Sequence, residues 1–552
     1  MSPRPPSLGA FQAALAARLD ALGPEGLRAV LERRAATLRP SEREAFLALF
    51  DPVAASVEST PVGANAAIEE DLAAFADAVA RMPPSQRWQW RERWDDDEDE
   101  PLPAEGAVAE DLLVAIGERF LAGDVAWAAD AYEQVFAVVQ STFDDDRDID
   151  LGVDRALASE ARNRLLWAIA TTEPDPVAAG RRMAAGLELC DDATDGLTLD
   201  DLLVARPGGD PVADEVLRAF ATALSVDLDL DLLPSWDRRR RLALAFEVGV
   251  RLDGVDTVVA GARSGTMPRL DTYRWLVSHL ADTGDVERAV ALGEEALADE
   301  RRSYDVADLA DEVARLALRI GRPESALAAQ CRSWACRPTV ICLERVLDAA
   351  EAAGRPGVPA VVDDHPSGSR FLQAAVHLLA GRFDEAIAPA TGSEHLSSHD
   401  RYAADRLVIA AACQGAAGGP VRPAVCVAVH DAGRRAEMAG WFERDPSPDR
   451  PTATPLAERL LATLGAVNAD PARLEMARRR VDHLAERVLG AKDRPAYETV
   501  AAMVVLLAQT AAAVDGAEAA TVIDEYDHRY RRFSAFRGEL GEARAAAGLS
   551  AL

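Results

Sequence analysis

With 552 residues, 49% of them hydrophobic, the chain has material for several cores or one long repeat array. A formal net charge of −32 excludes general nucleic-acid binding, which needs a cationic surface to displace counterions, and excludes attraction to anionic membranes. Aromatics are only 5% and alanine is abundant, a composition suited to closely packed helices.

The first residues, MSPRPPSLGAFQAALAARLDALG, lack the continuous apolar core of a signal peptide. No run of about 18 apolar residues reads as a membrane span, so a cytoplasmic protein is expected. Residues 1–55 read as short N-terminal helices, punctuated at Leu22-Gly23-Pro24 and Leu38-Arg39-Pro40-Ser41; Ser41 and Glu44 have capping-box spacing. Residues 56–106 read as a linker carrying one helix at about 67–82. Its RWQWRERWDDDEDEP segment sets Trp88, Trp90 and Trp94 directly before six acids, a candidate docking element.

From about 107 a helical pattern strengthens: Val108, Leu112, Ile116 and Phe120 repeat at i+4. Residues 107–442 read as a helical-repeat array, 443–456 as a proline-rich linker and 457–552 as a C-terminal helical cap. Two short runs break the helical period. VDLDLDLLP (226–234) and RPAVCVAVH (422–430) look strand-like and are read as extended connections or poorly patterned helices.

Within the array a grammar recurs: a helix, a glycine, then a second helix with alanine five places on. It appears as Gly123 with Ala128, Gly284 with Ala289, Gly321 with Ala326, and Gly381 with Ala386. The glycine leaves a helix through a left-handed turn, and the alanine lets the next helix pack closely. Gly321-Arg322-Pro323 returns 33 residues later as Gly354-Arg355-Pro356, and Gly284 precedes Gly321 by 37. This pattern, with Tyr132 nine places after Gly123 and Pro338 seventeen after Gly321, resembles degenerate tetratricopeptide repeats, whose unit is 34 residues. The resemblance implies an all-α fold, an α-solenoid of stacked helical hairpins with irregular repeats, covering roughly half the chain. Separately, YDHRYRRFSAFRGEL (526–540) looks like the ends of helical arrays that accompany bacterial SWIM-type zinc fingers, although the zinc motif itself, CxC followed by CxH, is absent.

Chemical motifs fail on particular residues. The single lysine, Lys492, lacks a glycine-rich approach, so there is no P-loop. HExxH, GxSxG and dinucleotide fingerprints are also missing. Setting Asp146, Asp148 and Asp150 at calcium-loop positions 1, 3 and 5 puts Leu151 where glycine is needed and Leu157 where glutamate is needed. His395 and His399 have i, i+4 spacing and form a weak metal candidate, but no further ligand adjoins them. Cys331, Cys336 and Cys342 spread around a helix axis and read as packing thiols. Two arginine-rich stretches are ambiguous between binding and internal pairing. One is Arg238–Arg241. The other is the aromatic segment with Tyr526, Arg529, Tyr530, Arg532 and Phe533, where arginines paired with acids of a preceding helix are the favoured reading.

No catalytic residue and no cofactor is expected. The expected function is a non-catalytic scaffold or adaptor for a protein partner, with neither nucleic acid nor membrane as ligand. A regulatory or sensor subunit of a bacterial multi-protein system, or an enzyme whose site forms only in three dimensions, are the alternatives.

Overall fold

The computed structural model describes residue 18 and residues 64–82, 104–142, 151–190, 196–206, 208–226, 235–299, 303–364, 369–387, 398–439 and 455–549. The protein is all-α: these residues form helices and the turns between them, with no strand among them. The chain divides into two compact units, Met1–Trp275 and Leu276–Leu552.

Unit 1 contains α1 (Ala64–Ala80), α2 (Ala104–Ala122), α3 (Val125–Gln140), α4 (Arg155–Thr172) and α5 (Pro176–Leu189). These are followed by α6 (Leu199–Leu203), α7 (Asp214–Val226), α8 (Ser235–Asp253), α9 (Val255–Ser264) and the start of α10 (Arg269–Asp282). Helix starts are set by local chemistry. Asp154 accepts the Leu157 amide at 2.9 Å, and Asp175 accepts those of Val177 and Ala178, with Pro176 opening α5. Most helices pack on the next or next-but-one in the chain. Their shared core includes Phe75, Ile116, Phe120, Tyr132, Leu165 and Phe220. Phe120 meets Trp167 edge to face at 5.7 Å.

Unit 2 takes the rest of α10 and continues with α11 (Val286–Asp299), α12 (Tyr304–Arg319), α13 (Pro323–Cys336) and α14 (Val340–Ala352), these four packing in chain order. Next come α15 (Ala360–Asp364), α16 (Arg370–Leu379), α17 (Phe383–Ile387), α18 (Ser398–Ala417) and α19 (Arg422–Ala439). The last helices are α20 (Leu456–Gly465), α21 (Arg473–Gly490), α22 (Tyr497–Asp515), α23 (Ala519–Arg529) and α24 (Ser534–Ala546). Here the packing changes character. α18 contacts α16, α19, α21 and α22, and α22 also contacts α23 and α24, so this half is a bundle rather than a ladder. One core cluster runs from Leu327 to Leu540 and passes from α13 into α24. The segment expected as a separate cap, 457–552, therefore shares its core with α16, α18 and α19. Arg459 of α20 strengthens that join by pairing with Glu351 at 2.5 Å and with Asp348 on α14.

The glycine turns have one construction. Gly123, Gly284, Gly321, Gly354 and Gly381 all have positive φ, between 66° and 111°. After α12, the Arg322 amide donates to the Ala317 carbonyl at 2.8 Å and the Gly321 amide to that of Leu318 at 3.1 Å. The same pair of bonds recurs after Gly123, Gly354 and Gly381. The alanine five places on is buried in all four expected hairpins, at Ala128, Ala289, Ala326 and Ala386.

Residues 422–430, expected as an extended connection or a poorly patterned helix, are the start of α19. Val425, Ala428, Val429 and Ala432 are buried at helical spacing while Val427 is 71% exposed, so the valines sort by a 3.6-residue period. Of the other strand-like run, Val226 ends α7, and 227–234 lie outside the described residues. Among the described residues one helix, Arg494–Asp515 including the turn before α22, is long and apolar enough to cross a membrane. In the fold it is a core helix: Val500, Val504, Leu507 and Ala508 are fully buried.

Candidate interaction surface

The arginine-aromatic segment resolves into an internal network. Tyr526, fully buried, donates its hydroxyl to Asp482 on α21 at 2.7 Å, and Arg529 donates to the same carboxylate at 2.6 Å. Burial first, and then the adjacent Asp482 carboxylate, hold the Tyr526 phenol well above its ordinary pKa. Arg529 also pairs with Glu525 at 3.1 Å and lies over the Tyr526 ring at 5.2 Å. Tyr530 joins Tyr526, Phe533 and Phe536 at centroid distances of 5.9 to 6.4 Å, and Phe536 meets Tyr497 of α22. Arg537 forks onto Asp527, with bonds of 2.7 and 3.0 Å. Of the segment's expected site residues, Arg532 stands apart: it is exposed, with no partner among the described residues.

The run Arg238–Arg241 is likewise turned inward. Arg241 is buried and pairs with Glu188 at 2.5 Å, and Arg238 meets Asp271 at 3.4 Å. The cysteines are free thiols. Cys342 is buried with its sulfur 3.6 Å from the Ser333 hydroxyl, and burial pushes the Cys331 thiol up to about 11. No group of three or more histidines, cysteines and acids among the described residues could hold a metal ion. His395 lies outside the described residues, and His399 is placed only as a residue of α18. Trp88, Trp90 and Trp94 also lie outside them, as do residues 143–150 of the acidic loop.

Two features escaped the sequence reading. The first is a buried guanidinium, Arg406 on α18, only 4% exposed. It pairs with Asp431 of α19 and donates to the Thr499 hydroxyl of α22 at 2.8 Å. Asp431 is shared with Arg434 at 3.1 Å and Arg435 at 3.2 Å. A buried arginine is held only where its charge is met this way, so this network locks three helices of unit 2 together.

The second is a groove of about 500 Å³ between α1 and α2. From α1 it is lined by Ile68, Ala74, Phe75 and Ala78, and from α2 by Val108, Leu112 and Ala115. Phe75 and Leu112 form the floor and belong to the core; Val108 is 41% exposed on the wall. The alanines explain why the groove is open, because their methyl groups do not span the gap between the helices. Asp71, Glu105 and Asp111 stand along it, exposed or half-exposed, without partners among the described residues. Acids next to them are engaged: Glu69 accepts from the Trp127 indole at 2.8 Å, and Glu110 from the Asp154 amide at 2.8 Å. No signal beyond the alanine spacing marked this groove in the sequence. Against this geometry, no protein-family model, curated protein or solved structure matches the chain.

Proposed function

We propose that this chain is a tetratricopeptide-like helical-repeat scaffold that acts by binding a protein partner. The observation that supports it is the recurrence of one hairpin, a helix ending in a left-handed glycine followed by a helix with a buried alanine, at Gly123, Gly284, Gly321 and Gly381. Serial hairpins leave helix faces and the grooves between them available over a long stretch of chain, which is the basis of binding in helical-repeat proteins. Tyr526, Arg529 and Arg537, which could have served chemistry near the C-terminus, are spent on internal pairs, which fits a surface that recognises rather than reacts.

In-cell crosslinking of the tagged full chain in its native host, followed by mass spectrometry, tests this reading. A stoichiometric protein partner is expected. Recovery of the chain without a partner, together with a small molecule retained through purification, would overturn it.

A further inference from the structure

We propose that the groove between α1 and α2 is the docking site for a cationic amphipathic helix of a partner protein, an assignment that rests on the scaffold reading. Three observations converge on that occupant. The floor and walls are apolar, offered by Ile68, Phe75, Val108 and Leu112, so the occupant must bring an apolar stripe. Along α1 the groove runs from Ile68 to Ala78, about 15 Å at 1.5 Å per residue, which matches the i, i+4 and i+7 anchors on one face of a helix. The charges on its border have one sign: Asp71, Glu105 and Asp111 lack partners among the described residues.

The wider surroundings agree in sign. The described segments 64–82 and 104–122 carry eight carboxylates and two arginines. Arg119 pairs with Asp124, and Arg81 donates to the Asp77 carbonyl at 2.8 Å. Among the described residues the groove border thus keeps a negative potential that no cation there compensates. Arginines or lysines flanking an apolar stripe would meet it, whereas an acidic helix or an anionic lipid surface would be repelled. An apolar peptide without the charges would gain burial but lose steering and register.

The test uses the purified full chain and a fluorescein-labelled leucine–arginine peptide of roughly 18 residues, long enough for about 27 Å of helix, with leucines at helical spacing. Two controls are a scramble of the same composition, which keeps the charge and destroys the stripe, and a leucine–glutamate version. Anisotropy is read at about 0.15 M salt, where long-range attraction to an acidic protein is screened. Binding of the patterned peptide is expected, with affinity lost by about tenfold or more in the scramble and none for the glutamate peptide. The triple variant Asp71→Asn, Glu105→Gln, Asp111→Asn should weaken binding by a similar factor. These side chains bear no structural bonds among the described residues, so the variant should fold as the parent does. A photoreactive benzoylphenylalanine in place of Ala74 should crosslink to the peptide.

Equal binding of scramble and patterned peptide, or unchanged binding by the triple variant, would overturn the proposal. So would crosslinks from position 74 to a second copy or to the chain's own residues, since each names a different occupant. The in-cell experiment detects a partner at any surface, so the scaffold reading and this site can fail separately.

Discussion

Lys492 sits where comparable turns of this protein place glycine. It lies in the turn just after α21 with φ of 56°, and its amide donates to the Leu489 carbonyl while the Asp493 amide donates to that of Val488. Those are the bonds made around Gly321 and Gly354, so the backbone motif is the same and only the residue differs. A side chain in the left-handed region costs roughly 1–2 kcal/mol, and glycine's extra freedom in the unfolded chain takes back about 0.4–1 kcal/mol of any gain from removing it. Lys492→Gly is therefore expected to stabilise unit 2 by about 0.5–1 kcal/mol, read as a higher denaturant midpoint with an unchanged slope. A lower midpoint would mean that the lysine side chain contributes more than its backbone conformation costs. The sequence showed Lys492 as the chain's one lysine but not as a turn, because only glycine or asparagine advertises a left-handed position. Asp482 was hidden for a different reason. It lies 44 residues before Tyr526 and 47 before Arg529, and nothing local in YDHRYRRF names the carboxylate that receives both.

At the scale of an element, α5 carries two buried glycines that should respond oppositely to the same change. A Cβ on Gly180 would lie 2.5 and 2.6 Å from backbone atoms of Ala219 and Phe220 on α7, so the two helices touch through that glycine. A Cβ on Gly186 would meet the side chains of Leu166, Ile169 and Leu165 at 3.4 to 3.6 Å, ordinary packing distances. Gly180→Ala must push α5 and α7 apart and is expected to destabilise unit 1 by about 1–3 kcal/mol. Gly186→Ala keeps the packing and gains helix propensity, worth roughly 0.5–1 kcal/mol. Thermal unfolding of the two variants beside the parent separates the effects, and equal loss in both would show that the α5–α7 approach is not the tight contact described. The sequence could not rank these glycines, because the difference lies in which helix faces each. The same limit explains 422–430. Its valines read as strand-like in isolation, and their helical register became visible only once α18 and α20 supplied the face that buries Val425 and Val429. The glycine-to-alanine hairpins were legible because their cause is local, a turn and a small residue at fixed spacing.

For the whole molecule the controlling quantity is charge: 92 acidic residues against 60 basic ones. Two effects of added salt then compete. Screening weakens the arginine–carboxylate pairs, but exposed pairs are worth only about 0–1 kcal/mol each, and the buried Arg406 pair is screened much less. Screening also relieves repulsion among the 32 negative charges in excess, a term summed over the whole surface that opposes compaction. The Debye length falls from about 30 Å at 0.01 M to about 8 Å at 0.15 M, so at low salt each excess carboxylate acts on many others and at the higher salt on few. Repulsion should win. The unfolding temperature is expected to rise between these two sodium chloride concentrations, by roughly 2–4 °C for each kcal/mol of relief. Chloride is the proper counter-ion for this measurement, since sulfate strengthens apolar burial by itself. A falling unfolding temperature would show that the arginine networks around Asp431, Asp482 and Asp348 outweigh the excess charge. In that case Arg459→Met, which removes the α14–α20 pairs but keeps much of the side chain's bulk, should reduce the salt sensitivity by the share those pairs carry.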